Sequence, residues 1–314
     1  MRLQIPPQLG RHRLSENQFD DNVHFPTHEK NMTKSSQPQQ NNLDQDTVSS
    51  FGYEWNRHNQ SDVAIEELRE IFEAYFSVFP WEKLPENAEG FDMGCGSGRW
   101  AKFVAPRVGK LNCIDPSAEA LSVARANLKE LDNVALINSS VDAEPLQNCS
   151  QDFGYSLGVL HHVPRTADAS QSCCNLLKPN APFLLYLYYR FDNRPRWFVA
   201  LWWLSNRLRQ LIAKLPYRSK SLVTDIIALI VYWPLSRMSW LLELFGFAVE
   251  KIPLSAYRHK SFYMMRTDSL DRFGTPLEQR FTRKEIQSMM ESAGLTDIEF
   301  RNDVPYWCAV GFKS

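Results

Sequence analysis

Three glycines at alternate positions, Gly94, Gly96 and Gly98, follow an acid, Asp92, at the end of a short apolar run. Such a turn lets the backbone adopt positive φ and lets a ligand approach the main chain closely. If a helix starts behind it, unpaired N–H groups favour an anionic or hydrogen-bonding ligand. Two chemistries compete. Gly96-Ser-Gly98-Arg-Trp-Ala101 satisfies the dinucleotide pattern G-x-G-x-x-A, a weak signal alone. The Asp92 carboxylate, however, would repel a pyrophosphate and hold an ammonium group, which favours a nucleoside joined to an amino acid. A second acid, Asp115, followed by Pro116, lies about 20 residues past the glycines, where a carboxylate takes ribose hydroxyls. His161 and His162 end a further apolar run. An imidazole there can accept a proton from an attacking hydroxyl; alternatively one ring packs beneath a ligand and the other hydrogen-bonds a loop.

The elements that would position these residues are short strands alternating with helices. Apolar runs at Gly90–Met93, Lys110–Asp115, Asn133–Asn138, Asp152–Val163 and Phe183–Tyr188 read as successive strands. Ser61 offers a cap to a helix carrying Ile65, Leu68, Phe72, Phe76 and Phe79 at helical spacing, stopped by Pro80. Trp100–Val104 predicts a short helix stopped by Pro106. Ser117 or Asp115 caps the next one. Thr282 and Glu285 form a capping box with Phe281 packing on Ile286, Gly294 ends that helix, and 296–300 and 306–312 read as closing strands.

This succession resembles the class I S-adenosylmethionine-dependent methyltransferases over roughly residues 85–190 and 270–314. One departure is Asn180-Ala181 after Lys178-Pro179, where the family usually has two glycines. The resemblance implies an α/β fold: a Rossmann-like, seven-stranded, mostly parallel sheet with helices on both faces, a helical lid inserted between strands five and six, and a final antiparallel strand pair. It implies S-adenosyl-L-methionine as cofactor, with Asp92, Gly94, Gly96, Gly98, Asp115 and Pro116 holding it. Asp142 would accept from the adenine amino group while Ala143 lends its backbone. An aromatic from the N-terminal segment, Tyr53 or Trp55, would cover the cofactor or the substrate mouth, unless Phe51, Tyr53 and Trp55 merely anchor that segment on the core.

The formal net charge is -1 and the hydrophobic content 44%, an ordinary balance with ample core and no nucleic-acid signal. Six cysteines show neither C-x-x-C pairing nor zinc spacing, and no metal constellation can be assembled, which suggests a reducing, cytoplasmic setting. Residues 1–50, rich in Gln, Asn and Ser, are expected to be disordered, with Arg2, Arg11 and Arg13 but no long apolar core of a secretory signal. The core is expected over 51–190 and again over 261–314.

Residues 191–260 form the insert. From 190 to 260 there are twelve Lys/Arg against four Asp/Glu, so the rest of the chain is acidic, and five of the nine tryptophans lie here. Trp197, Leu201, Leu204, Leu208 and Leu211 share one helical face. The apolar stretch 226–249 is interrupted by Pro234, Arg237 and Glu243, which predicts a buried or interfacial helix pair, not a membrane span. A basic, Trp-rich lid suits a phosphorylated, nucleotide-linked or lipid-linked substrate, or peripheral contact with an anionic membrane. Its arginines could equally be a solvated face. Beyond it, His259, Tyr263, Arg266 and Asp271 are dense enough to contact a polar substrate or to form a self-satisfied salt-bridge knot; Tyr263 and His259 join His161 and His162 as catalytic candidates.

The chemistry expected is displacement at a sulfonium methyl group, with a small molecule as acceptor: a sugar, a lipid-linked glycan or a secondary metabolite. The rivals are a nicotinamide-dependent oxidoreductase and a non-catalytic methyltransferase-like protein that binds a membrane surface. The oligomeric state is not legible.

Overall fold

A computed structural model describes residues 42–57, 64–250 and 252–314. Its centre is a seven-stranded sheet of order β3-β2-β1-β4-β5-β7-β6, formed by β1 (Glu89–Met93), β2 (Lys110–Asp115), β3 (Val134–Asn138), β4 (Phe153–Leu157), β5 (Pro182–Tyr186), β6 (Leu295–Phe300) and β7 (Ala309–Lys313). The first five strands pair in parallel, while β7 runs antiparallel to β5 and β6. The sheet expected from sequence is therefore present, with its antiparallel closing pair.

Alternation along the central strands divides the core in two. Leu111, Cys113 and Tyr155 face α2 (Ile65–Phe76) and α3 (Ala101–Val104). Phe91, Met93, Ile114, Phe183 and Leu185 face α5 (Thr166–Leu176) and α10 (Arg283–Ser292). Because both faces are covered, these strands read as nearly continuous apolar runs. Ser117 caps α4 (Ala118–Asn127) by accepting from the Ala120 N–H at 3.2 Å, and Thr282 and Glu285 form the predicted capping box on α10.

The expected disorder of residues 1–50 fails over its last part; residues 1–41 lie outside the described region. Helix α1 spans Gln45–Arg57, and Asp44 accepts from the Thr47 N–H at 2.8 Å at its start. Buried Asn42 clasps the Arg165 main chain through both side-chain atoms, each at 2.8 Å, and donates its N–H to Asp142 at 2.6 Å. The segment is tied down by specific polar contacts, which composition does not register.

Between β5 and α10 lie α6 (Arg196–Ile212), α7 (Tyr217–Ile227), α8 (Trp233–Leu244) and α9 (Phe262–Gly274). In place of an interrupted pair, α7 and α8 form one continuous helical run, Tyr217–Leu244. A π-turn at Ala228–Tyr232 sits just before Pro234. The proline ring would clash with the carbonyl four residues back, and one widened turn absorbs that clash without breaking the helix. The expected boundary at 260 also shifts: α9 packs on α6 and α7, and Met265 and Phe273 share a core with Ile212 and Tyr232.

Candidate active site

A cavity of about 880 Å³ opens at the carboxyl ends of the parallel strands, between the sheet, α1 and the insert. Open α/β sheets bind ligands at this edge, and the volume lies toward the upper end for small-molecule sites (about 300–1,000 Å³). Gly94, Cys95 and Gly96 line one end together with Asp115, Pro116 and Ser117.

Local geometry explains the glycines. Gly94 has φ +81°, and a Cβ there would stand 2.3 Å from the Val159 side chain. Gly98, at φ +76°, would place a Cβ 2.6 Å from Leu128, so it serves close packing on α4 and does not line the cavity. Gly96 donates its N–H to Asp115 Oδ2 at 2.9 Å, and Ser117 N–H donates to Oδ1 at 2.9 Å. Each carboxylate oxygen thus holds one backbone donor and keeps a lone pair for a ligand hydroxyl. Burial raises the Asp115 carboxyl to about 6, with the two backbone N–H groups pulling the other way. The helix behind the turn, α3, has only four residues, so the N-terminal charge anticipated there does not apply.

Asp92 departs from expectation. Its side chain is 1% exposed, does not line the cavity, and accepts from the Tyr155 hydroxyl at 3.0 Å. The reason is register: Asp92 pairs with Tyr155 across β1 and β4, and both side chains leave the sheet on the same face, beneath the glycine turn. Burial raises this carboxyl to about 8, partly opposed by the Tyr155 hydrogen bond. Asp142 and Ala143 also lie off the cavity; Asp142 accepts from the Asn42 N–H and, at 2.7 Å, from Ser140 Oγ.

From α1 and the residue before it, the cavity receives Asp44, Thr47, Val48 and Phe51, one face at helical spacing. Tyr53 falls on another face. It is 59% exposed and stacks on Tyr217 of α7, with centroids 4.8 Å apart, so it does not cover the site. The Trp55 side chain lies outside the described residues. Phe51 takes the place expected of an aromatic cover, its ring set edge-on to His162 at 4.9 Å.

The two histidines separate cleanly. His161 is fully buried, stacks on Tyr188 at 3.8 Å and does not line the cavity; burial holds its pKa well below the ordinary value. It packs, and the catalytic expectation for it fails. His162 does line the cavity. Its Nδ1 lies 2.7 Å from the Leu277 carbonyl oxygen, and its buried Nε2 has no hydrogen-bond partner among the described residues and stands 3.9 Å from Asp271 Oδ1. A carbonyl can only accept, so Nδ1 carries the proton and Nε2 presents a lone pair. Leu277 is held in turn by Thr47, whose Oγ1 accepts the Leu277 N–H at 3.3 Å.

Of the four candidates His259, Tyr263, Arg266 and Asp271, Asp271 alone lines the cavity, and there the Tyr188 hydroxyl donates to it. His259 pairs with Glu243 at 2.8 Å, and Arg266 holds Asp225 through two bonds of 3.0 and 2.9 Å. Neither they nor Tyr263 line the site, so the self-satisfied alternative describes them. The sequence reading missed Tyr188, just past the carboxyl end of β5, and Asp268, raised by burial to about 6 and bonded to Tyr257. It also missed Arg280, which with Arg272 brackets buried Glu278 at 2.8 and 2.9 Å. The strand-end rule could have pointed to Tyr188; nothing local marks the other two.

The sheet order, the glycine turn and the carboxylate at the end of β2 define a class I methyltransferase fold. Residues 91–180 match the family described as "Methyltransferase domain", and this region belongs to the S-adenosylmethionine-dependent class I family. The chain is 31% identical over 112 residues to a ubiquinone biosynthesis O-methyltransferase of Serratia proteamaculans, and 35% identical over 91 residues to one of Alkalilimnicola ehrlichii. These matches cover 35% and 28% of this chain, and 46% and 36% of those relatives, so the chain spans less than half of their length. An O-methyltransferase family protein from Burkholderia thailandensis shares the fold at a TM-score of 0.50 and 13% identity, over 82% of this chain and 59% of that one.

Proposed function

We propose that the chain is an S-adenosylmethionine-dependent methyltransferase that methylates a hydroxyl of a small, largely apolar molecule. The observation that carries this is one cavity with the Asp115–Gly96 clasp at one end and the His162 ring, its buried Nε2 unpartnered among the described residues, at its wall. The residues present fit the cofactor: a glycine bend with no room for side chains, and a buried carboxylate with open lone pairs where ribose hydroxyls are expected.

S-adenosylmethionine supplies a methyl group on a sulfonium, which becomes a neutral thioether once the methyl has gone. The chain's own task is to align an acceptor with that methyl, to exclude water and to take up one proton. His162 Nε2 accepts the hydroxyl proton as the oxygen's electron pair forms the new bond to carbon. The imidazolium so formed lies beside the Asp271 carboxylate at 3.9 Å, which stabilises its charge. Phe51 packs edge-on against the same ring, with centroids 4.9 Å apart.

The acceptor's apolar character follows from the wall that the insert provides, including Phe198, Leu201, Leu208, Ile227, Val231 and Leu235. That oxygen is the acceptor atom is supported by the relatives, which are named O-methyltransferases, and by the need of a hydroxyl for a base. Transfer of label from methyl-labelled S-adenosylmethionine into a lipid-soluble component of cell extract tests the reading. Transfer that survives intact in His162→Ala removes the assigned base, and no transfer into any extract fraction removes the activity.

A further inference from the structure

The insert carries its apolar stripe on the outside. Trp197, Leu201, Leu204, Leu208 and Leu211, the face of α6 that periodicity would assign to a core, are all 48–67% exposed. The helix packs inward through Trp202, Ser205, Arg209 and Ile212. Along the continuous run of α7 and α8, Ile226, Ile230, Trp233, Leu241 and Leu244 repeat the pattern, and Phe245 follows at 72% exposed. Among the described residues, nineteen of the twenty-one large apolar side chains that stand exposed fall between Trp197 and Phe247, so the exposed apolar surface is concentrated on one insert. A scattered exposed leucine needs no explanation; a continuous surface of this kind does.

We infer that this surface docks on an anionic lipid bilayer, with α6 and the α7–α8 run lying in the plane of the interface. Three observations select a bilayer over a protein partner. First, the exposed charge along the patch is mostly basic. Arg196, Arg207, Lys214 and Arg218 are exposed, against Asp192 and Glu250 at the two ends of the segment. Asp192 already accepts from the Arg283 N–H and Trp307 Nε1, and the acids between, Asp225 and Glu243, are half-buried and paired with Arg266 and with Arg258 and His259. Cations flanking an apolar helical face match the chemistry of an anionic headgroup layer. Second, Trp197, Trp203, Trp233 and Trp240 are 41–53% exposed, and tryptophan favours the boundary between headgroups and acyl chains. Third, Leu201, Leu208 and Val231 belong both to the exposed patch and to the cavity wall, so the apolar surface runs into the site without a polar break.

The α7–α8 run is long and apolar enough to cross a membrane by length and composition. It is held flat instead. Lys220 donates to the Gly274 carbonyl at 2.8 Å, Ser269 to the Thr224 carbonyl at 2.9 Å, and Asp225 is locked to Arg266, so one flank stays on α9 while the other faces outward.

The test uses the full chain and sedimentation with vesicles of phosphatidylcholine, with and without phosphatidylglycerol. The protein is expected to sediment with the mixed vesicles, less with phosphatidylcholine alone, and less as salt is raised. The triple variant Leu204→Glu, Leu241→Glu, Phe245→Glu, none of which lines the cavity, should bind at least about tenfold more weakly, with S-adenosylmethionine affinity unchanged. A wild-type chain that stays in the supernatant overturns the inference. If it does so as a dimer that the variant dissociates, the face joins two copies. Vesicle binding indifferent to the three substitutions also overturns it. No methyl transfer enters this readout, so its failure is distinct from failure of the proposed activity.

Discussion

His162 Nδ1 lies 2.7 Å from the Leu277 carbonyl oxygen, and that bond decides which ring nitrogen is available for chemistry. The neighbouring His161 has a buried ring and a stacking partner in its place. His162→Ala should lower the rate of methyl transfer by about 10²–10⁴-fold, the range for a positioned proton acceptor, while leaving cofactor affinity within about twofold. His161→Ala should lower thermal stability first. Label-transfer rates and melting curves on both variants separate the roles, and equal losses of turnover at matched folding would contradict the assignment.

Asp92 makes a stability prediction. Burial holds its carboxyl at about 8, against roughly 3.9 in the unfolded chain. Between those values the unfolded state has released a proton that the native state keeps, so stability falls as pH rises and levels off above about pH 8. Asp115, at about 6, contributes the same sign only below that value. From about pH 6 to about pH 8, wild type should therefore lose about 1–3 kcal/mol more than Asp92→Asn in urea denaturation without ligand. Parallel curves for the two proteins would refute the buried acid.

Glu278 carries the opposite sign. Burial alone would raise its pKa, but Arg280, Arg272 and Arg209 outweigh burial and hold it below the usual carboxylate range. Its stabilisation is fully present above the unfolded value and is lost as pH falls through the depressed one. Glu278→Gln should cost about 3–5 kcal/mol near neutrality, because two buried guanidinium groups lose their carboxylate. A loss below about 1 kcal/mol would mean that the arginines find other acceptors.

Helix α1 supplies a paired test. Phe51 faces the cavity and Tyr53 faces Tyr217, so Phe51→Ala should reduce methyl transfer about tenfold and Tyr53→Ala should change it little. The reverse order would show that the helix presents its other face when ligand is bound.

The strands were legible because a parallel sheet covered on both faces leaves apolar runs ending in turn residues, and β2 matches its expected bounds of Lys110–Asp115. The turn and Asp115 were legible for a related reason: both follow directly from strand ends. What failed depended on direction. Periodicity shows that α6 has an apolar stripe but not which way it points, and here it points outward. Composition counted His259 and Arg266 as available, when Glu243 and Asp225 had already taken them. Asp92 precedes the glycines as expected, yet strand alternation sends its side chain to the face beneath them.

The most direct measurement is calorimetric titration of S-adenosylmethionine into the wild-type chain and into Asp115→Ala, with folding of each checked by circular dichroism. One site is predicted on wild type, with affinity at least about 100-fold weaker in the variant, since Asp115 both clasps the Gly96 N–H and offers the remaining lone pairs. No heat on wild type, or equal affinity in two folded proteins, would contradict the account.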